Sequence, residues 1–252
     1  MLIIDMEEDS LPQGEKRALA QAKKRMEQVP FDLAVCEKPE HVTAFQSEAI
    51  PAAGYEGSGR RHSCRYVLES FEGLSVDFAN LVHHRFFGLP FQILATRRCI
   101  VREFAMSDLD ALVRLYSGEG ITDYVAPLFP YEEEKEYERK YIQNVYDIYG
   151  VGMWLVIEKG SGKLIGRCGV EVREGGWELG YVIASDYQRR GFATEVTTAI
   201  LDYAKARGGK DFYCRINPKN APSVALARKL GFAPTGERVK DEVVWRLGTA
   251  GK

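Results

Sequence analysis

Cysteine is scarce and scattered: Cys36, Cys64, Cys99, Cys168 and Cys214 are spread over 252 residues with no C-x-x-C pair. An odd, dispersed set argues against a disulfide framework and against a zinc or other metal site, and it fits a reducing compartment. Charge of one sign is missing too, since 34 basic and 36 acidic residues leave a net charge of −2. That balance gives no general affinity for polyanions, so nucleic acid is not expected as a partner. No apolar run approaches the roughly 20 residues that span a bilayer. The opening "MLIIDMEED" turns acidic at once, which does not fit a secretory signal. The expectation is a cytoplasmic protein without a membrane partner. Repeats and low-complexity segments are also absent.

What is present is an ordinary globular balance, 45% apolar and 28% charged, with length enough for a core that needs no staples. Residues 1–90 read as a small Rossmann-like α/β domain. Leu19, Ala22, Met26 and Val29 mark one helix, Val42, Phe45 and Ala49 a second, and Leu74, Phe78, Leu81 and Val82 a third. "FDLAVC", "AAGY" and "RYVLES" are short strands between them, and such alternation favours a parallel sheet.

From residue 91 the pattern changes. "CIVREF" reads as a strand and "SDLDALVRLY" as a helix capped by Ser107 or Asp108. "YEEEKEYERKYIQNVYDIYG" reads as one long helix, with Tyr137, Tyr141, Val145 and Ile148 as its packing stripe. "MWLVIE", "LIGRCGVEV" and "WELGYVI", joined by short glycine turns, make an antiparallel meander. A helix follows "YQRRG", then come the strand "DFYCRI", the helix "SVALARKL", and strands around "FAPTGE" and "EVVWRLG".

The turn "YQRRGFATE" between strand and helix carries the chemistry. A glycine-bearing turn at a helix start leaves backbone N–H groups unpaired, and these amides and the helix dipole favour an anion. Gly191 allows close backbone approach, Ala193 keeps the first turn uncrowded, and Arg189 and Arg190 add charge suited to a pyrophosphate. A solvated loop with its arginines in water is the competing reading of the turn taken alone.

Gln188-Arg189-Arg190-Gly191-Phe192-Ala193 matches the Q/R-x-x-G-x-G/A motif of the GNAT superfamily of N-acetyltransferases. "ELGYVIA" resembles that family's fourth strand, and "NPKNAPSVALARKLGF" its N-x-x-S…LGF segment. The resemblance covers about residues 96–250 and is strongest to the RimJ/RimL-like branch. It implies an α/β (α+β) domain over 91–252, with a mixed, mostly antiparallel central sheet flanked by helices. It also implies acetyl-CoA as cosubstrate. The pyrophosphate would rest on the amides from Arg189 to Thr194, including Phe192. Pantetheine would run along Tyr181, Val182 and Ile183, where the fourth and fifth strands splay. Asn220 is a preferred helix cap, with a bond to the pantetheine arm as its second expected role and capping alone as the plain alternative.

Acetyl transfer to an amine needs a base, an oxyanion donor and help for the departing thiolate. Glu178 is the first choice for the base, with Glu171 and Glu174 in reserve and a strand-edge carboxylate as the plain alternative. The resemblance implies a strand N–H, that of Val182, as oxyanion donor. Many members place a tyrosine four residues before the "LGF" glycine, where this chain has Ala227. In the resembling branch the serine of N-x-x-S can serve, and Ser223 holds that place. Since a thiol titrates near 8.5, a dedicated acid is dispensable.

Other signals carry less. "GSGKLIG" reads as a hairpin turn, because Leu164 stands where a phosphate loop needs Ser or Thr. "GYEGSGRR" reads as a loop, and the neighbouring His83 and His84 fall on different helix faces. "YVAPLFPYEEE", aromatic and acidic, is the candidate for selecting a cationic amine. The expected acceptor is a primary amine, on a protein N-terminus or a small molecule. The rival is a non-catalytic acetyl-CoA or CoA-binding sensor. The first unit weakly resembles a haloacid-dehalogenase-like Rossmannoid half-domain, but "IIDMEED" lacks that family's D-x-D, so no phosphatase activity is expected of it. Packing, homodimerisation or recruitment of the acceptor are the roles open to it.

Overall fold

The computed structural model describes residues 1–146 and 149–248; Ile148 of the expected stripe lies outside them. The chain divides into two compact units, Met1–Phe91 and Gln92–Lys252.

The first unit is a parallel sheet of β1 (Leu2–Asp5), β2 (Leu33–Cys36), β3 (Ala52–Tyr55) and β4 (Val67–Leu68), in that order. Its helices are α1 (Gln13–Met26), α2 (Pro39–Ser47) and α3 (Val76–Phe86). The run "LAVC" is apolar throughout because β2 is covered on both faces. Leu33 and Val35 pack with Leu19, Ala22 and Met26 of α1, whereas Ala34 and Cys36 pack with Val42 of α2. Pro39 suits the first turn of α2, where an N–H has no helical partner. Strand order follows the chain, so this sheet has no reversal of the kind at which α/β sheets bind ligands. Neither β1 nor β5 (Gln92–Ala95), which opens the second unit, was expected from the sequence.

The second unit is an eight-stranded sheet in the order β11-β12-β10-β9-β8-β7-β6-β5. Its remaining strands are β6 (Cys99–Arg102), β7 (Met153–Glu158), β8 (Leu164–Arg173), β9 (Gly176–Ile183), β10 (Phe212–Ile216), β11 (Phe232–Val239) and β12 (Glu242–Leu247). Every neighbouring pair is antiparallel except β9 and β10. The helices are α4 (Leu109–Tyr116), α5 (Tyr131–Tyr141), α6 (Phe192–Ala206) and α7 (Ala221–Lys229). On α6, Phe192, Val196, Ile200 and Ala204 recur every four residues and are fully or nearly fully buried in the core. Each large side chain buried this way contributes about 1.5–3 kcal/mol relative to exposure.

Two helix expectations are corrected. The segment from Tyr131 is α-helical only to Tyr141, and Ile142–Tyr146 widens into a π-helical turn. That turn brings two hydroxyls to one strand end: Met153 N–H donates to Tyr141 Oη, and Tyr146 Oη donates to the Met153 carbonyl, both at 2.7 Å. Asp108 stands at the start of α4 without capping it. Arg102 grips its carboxylate with two hydrogen bonds of 2.7 Å, and the Ala105 N–H donates to it at 2.9 Å.

Candidate active site

Strands β9 and β10 pair over only two positions, Trp177 with Phe212 and Glu178 with Tyr213. Beyond Glu178 they part, while β9 runs on to Ile183 and β10 to Ile216. The outer edge of β9 is thereby opened in the middle of a sheet. Backbone parity decides which peptides face the gap, because neighbouring residues of a strand direct their N–H and C=O groups to opposite edges. Trp177 N–H donates to the Asp211 carbonyl beside β10 at 3.3 Å, and Ala184 N–H to the Ile165 carbonyl beside β8 at 2.8 Å. The register from Gly176 to Ile183 against β8 is unbroken. Leu179, Tyr181 and Ile183 therefore face the gap, and Gly180 and Val182 face β8. This corrects the expectation for Val182, whose N–H belongs to the sheet and not to an oxyanion. The Ile183 carbonyl already accepts from Gln188 Nε2 at 3.0 Å, which leaves the Tyr181 peptide as the open one at the centre.

The strand runs into the turn Gln188–Gly191 and then α6. Gly191 has φ +81° and no side chain caps the helix, so the first-turn amides of Phe192, Ala193 and Thr194 are left to an external acceptor. Arg189 also lies in the left-handed region, at φ +54°, and is exposed beside the turn. Arg190 is otherwise engaged. Its guanidinium lies over the rings of Tyr187 and Phe192 and donates to the Asp186 carbonyl at 3.2 Å. The sequence expectation of two phosphate-facing arginines thus narrows to Arg189.

Two cavities meet at the gap. One, of about 440 Å³, extends over the turn and is lined by Ile183, Gln188, Arg189, Gly191, Ala193 and Thr194. The other, of about 430 Å³, lies towards β8 and β12 and is lined by Glu171, Glu178, Arg173, Arg215, Cys214 and Glu242. Tyr124, Val125, Tyr181, Val182, Asn220 and Ser223 belong to both. The loop carrying Tyr124 is tied over this junction: Tyr124 Oη donates to the Lys219 carbonyl at 3.2 Å, and Ser185 Oγ to that of Glu119 at 2.7 Å.

Glu178 is not a bare carboxylate. Arg215 Nε donates to its Oε1 at 2.6 Å and Tyr213 Oη to its Oε2 at 3.4 Å. Directly opposite on β8, Glu171 accepts from Tyr141 Oη at 2.8 Å and from Arg173 at 2.7 Å. Glu174 is exposed in the hairpin turn and lines neither cavity. Asn220 caps α7, with its Oδ1 accepting the Ser223 N–H at 3.2 Å, and its amide hydrogens are not used by that cap. Ala227 is buried in the core and lines neither cavity. Burial holds the Cys214 thiol up at about 12, with Glu178 adding to the effect, so it is a poor nucleophile.

The structure thus brings Tyr181, Val182, Asn220 and Ser223 to one junction, with Glu178 in the cavity on one side of it and the Gln188–Thr194 turn on the other. The sequence reading missed Arg215, Arg173, Tyr116 and Met153 as cavity-lining residues, and no local motif marks them. Among the described residues no group of three or more His, Cys, Asp or Glu side chains could hold a metal ion. Among them, too, no helix is long and apolar enough to cross a membrane.

Residues 98–233 match the model of the acetyltransferase (GNAT) domain family. The chain is 26% identical over 152 residues to the uncharacterized N-acetyltransferase p20 of Bacillus licheniformis, covering 58% of this chain and 84% of that one. It is 28% identical over 147 residues to the uncharacterized N-acetyltransferase YnaD of Bacillus subtilis, covering 57% and 84%. In fold it is similar to a putative GnaT-family acetyltransferase of Bordetella pertussis, with a TM-score of 0.54, 22% identity and coverage of 62% and 98%. The ribosomal-protein-S5-alanine acetyltransferase of Vibrio fischeri is similar at a TM-score of 0.53 and 18% identity, covering 61% and 93%. The family match spans more than half of the chain, which belongs to the GNAT acetyltransferase family.

Proposed function

We propose that the chain is an N-acetyltransferase that moves the acetyl group of acetyl-CoA to a primary amine by direct transfer in a ternary complex. The observation that carries this reading is the early parting of β9 and β10, which opens a strand edge beside an uncapped helix start. Together these two features suit a long ligand with a phosphate end and an amide-bearing arm. Acetyl-CoA would supply an activated acyl group there; the rest is the work of this chain's residues.

In this reading the amides from Arg189 to Thr194 bind the pyrophosphate, and Arg189 adds a charge. The open peptide of Tyr181 pairs with the pantetheine arm, and its N–H is the donor nearest to hand for the developing oxyanion. Asn220 offers its amide hydrogens to the same arm. Glu178 accepts the amine proton, directly or through one water, and Ser223 stands beside the departing sulfur. An α-amine titrates near 7.7–8.0 and a lysine near 10.4. A protein N-terminus or a low-pKa small amine therefore needs only a weak base, which favours that acceptor class. With Cys214 and Cys168 both held protonated by burial, an acetylated cysteine is not part of the scheme.

The rival is a CoA-binding sensor, favoured by one observation: Ala227 stands where a tyrosine acid is usual. Thiol release from acetyl-CoA, measured with a mixed library of N-terminal peptides, lysine peptides and small amines and read by mass, separates the two. An acetylated product establishes the enzyme and its acceptor class. Acetyl-CoA binding with no product from any acceptor would turn the assignment to the sensor.

A further inference from the structure

Tyr181 holds a hydroxyl that nothing in the fold uses. The ring stands at the junction of the two cavities and lines both. Its Oη is out of solvent and completes no hydrogen bond, although the Ser223 hydroxyl lies beside it. Leaving a buried O–H without a partner costs stability, so such a group points to an absent ligand atom. Strand alternation sets the direction of the side chain. Tyr181 lies opposite Cys168 on β8, on the face covered by α6 and α7, whereas Glu178 lies opposite Glu171 on the other face. One strand thus presents a carboxylate to one side of its open edge and a phenol to the other. The helix position from which a tyrosine usually assists the sulfur is Ala227, buried against the core.

We propose that Tyr181, from the strand and not the helix, is the hydrogen-bond donor to the departing sulfur. The proposal rests on the acetyltransferase reading above. In the transfer step the amine nitrogen bonds to the acetyl carbon and the C–S bond breaks, with its electron pair going to sulfur. Tyr181 donates a hydrogen bond to that sulfur and keeps its own proton. The proton shed by the amine passes through Glu178 and solvent and ends on the thiol, so the enzyme is unchanged. Burial pushes the phenol up to about 12, against a smaller opposing effect of Ser223. Tyr181 therefore remains an O–H donor throughout the range in which a thiol ionises.

The test compares calorimetric affinities of the full chain for CoA and for desulfo-CoA, which lacks the sulfur, at pH 7 and pH 9. Wild type should prefer CoA, by about 10- to 100-fold once the thiol is ionised, the range expected for a hydrogen bond to a charged group. Tyr181→Phe should bind both ligands alike at either pH. It should also melt no lower than wild type without ligand, because it loses only an unsatisfied hydroxyl; a purely structural tyrosine would lower the melting point. An undiminished preference for CoA in Tyr181→Phe would overturn the proposal while leaving the acetyltransferase reading intact. Failure of wild type to bind either ligand would overturn both.

Discussion

Glu195 binds Arg98 twice, accepting its backbone N–H at 2.8 Å and its Nε–H at 2.7 Å. The same guanidinium lies 3.9 Å from the centre of the Phe192 ring and donates to the Arg190 carbonyl at 3.0 Å. One arginine from the loop between β5 and β6 thereby fixes the turn and first helical residues on which a pyrophosphate would rest. Neither residue touches the proposed ligand path; they hold its amides in place.

Glu195→Gln should therefore weaken CoA binding, by about 10-fold at pH 7 if one charge-assisted hydrogen bond is lost. Burial works to raise the Glu195 carboxyl, but hydrogen bonds from Thr96 and Arg98 outweigh it and leave it below its usual range. A depressed value gives stability that is complete above the unfolded pKa, near 4.3, and lost as pH falls through the folded one. The melting-point gap between wild type and variant should accordingly close below about pH 4. A gap that stays constant from pH 7 to pH 3 would show that the carboxylate's charge contributes nothing.

Gly191 offers a sharper test of the turn. A side chain there meets a backbone at φ +81° and, at its Cβ, only the Arg98 guanidinium at 3.5 Å. Gly191→Ala should cost about 1–2 kcal/mol in denaturant unfolding, the penalty for an L residue in that region. Gly191→Glu adds a carboxylate over the open amides and should lower CoA affinity more than 100-fold while the chain stays folded. Unchanged affinity in a folded Gly191→Glu variant would move the site elsewhere.

This turn was legible in the sequence because its conformation depends on contiguous residues: Gln188 to Ala193 carry the chain from strand to a helix start that no side chain caps. The meander was legible for a similar reason, since glycine turns separate "MWLVIE", "LIGRCGVEV" and "WELGYVI". What the sequence hid depends on register. The pairing of Glu178 with Arg215 joins residues 37 apart in the chain. The peptide parity that takes Val182 away from the gap is visible only once β8 and β9 are aligned. β1 escaped notice because "LIID" is too short to show a period, and its burial comes from a sheet built by later strands. The π turn at Ile142–Tyr146 answers to Met153, on another element.

Glu178 is the residue whose proposed role is most open to kinetic challenge, because its oxygens are shared with Arg215 and Tyr213. If it takes the amine proton, Glu178→Gln should lower kcat by about 10²–10³ with little change in KM for acetyl-CoA. A kcat matching wild type would mean that the amine releases its proton to water, and that the carboxylate serves only to hold Arg215.

A buried ion pair in the second unit should govern stability and leave CoA binding alone. Arg167 Nη1 meets Glu138 Oε1 at 2.6 Å, with the two side chains 7% and 0% exposed. Burial raises the Glu138 carboxyl and Arg167 pulls against it. Removing one partner strands the other, which costs about 3–5 kcal/mol, whereas apolar replacement of both is often neutral. Glu138→Leu should therefore lower the urea midpoint sharply, and Arg167→Met/Glu138→Leu should recover most of the loss. CoA affinity of the folded double variant should match wild type, because neither residue lines the cavity over the turn. If the double variant is no more stable than Glu138→Leu, the pair contributes more through its surrounding tyrosine contacts than through charge compensation.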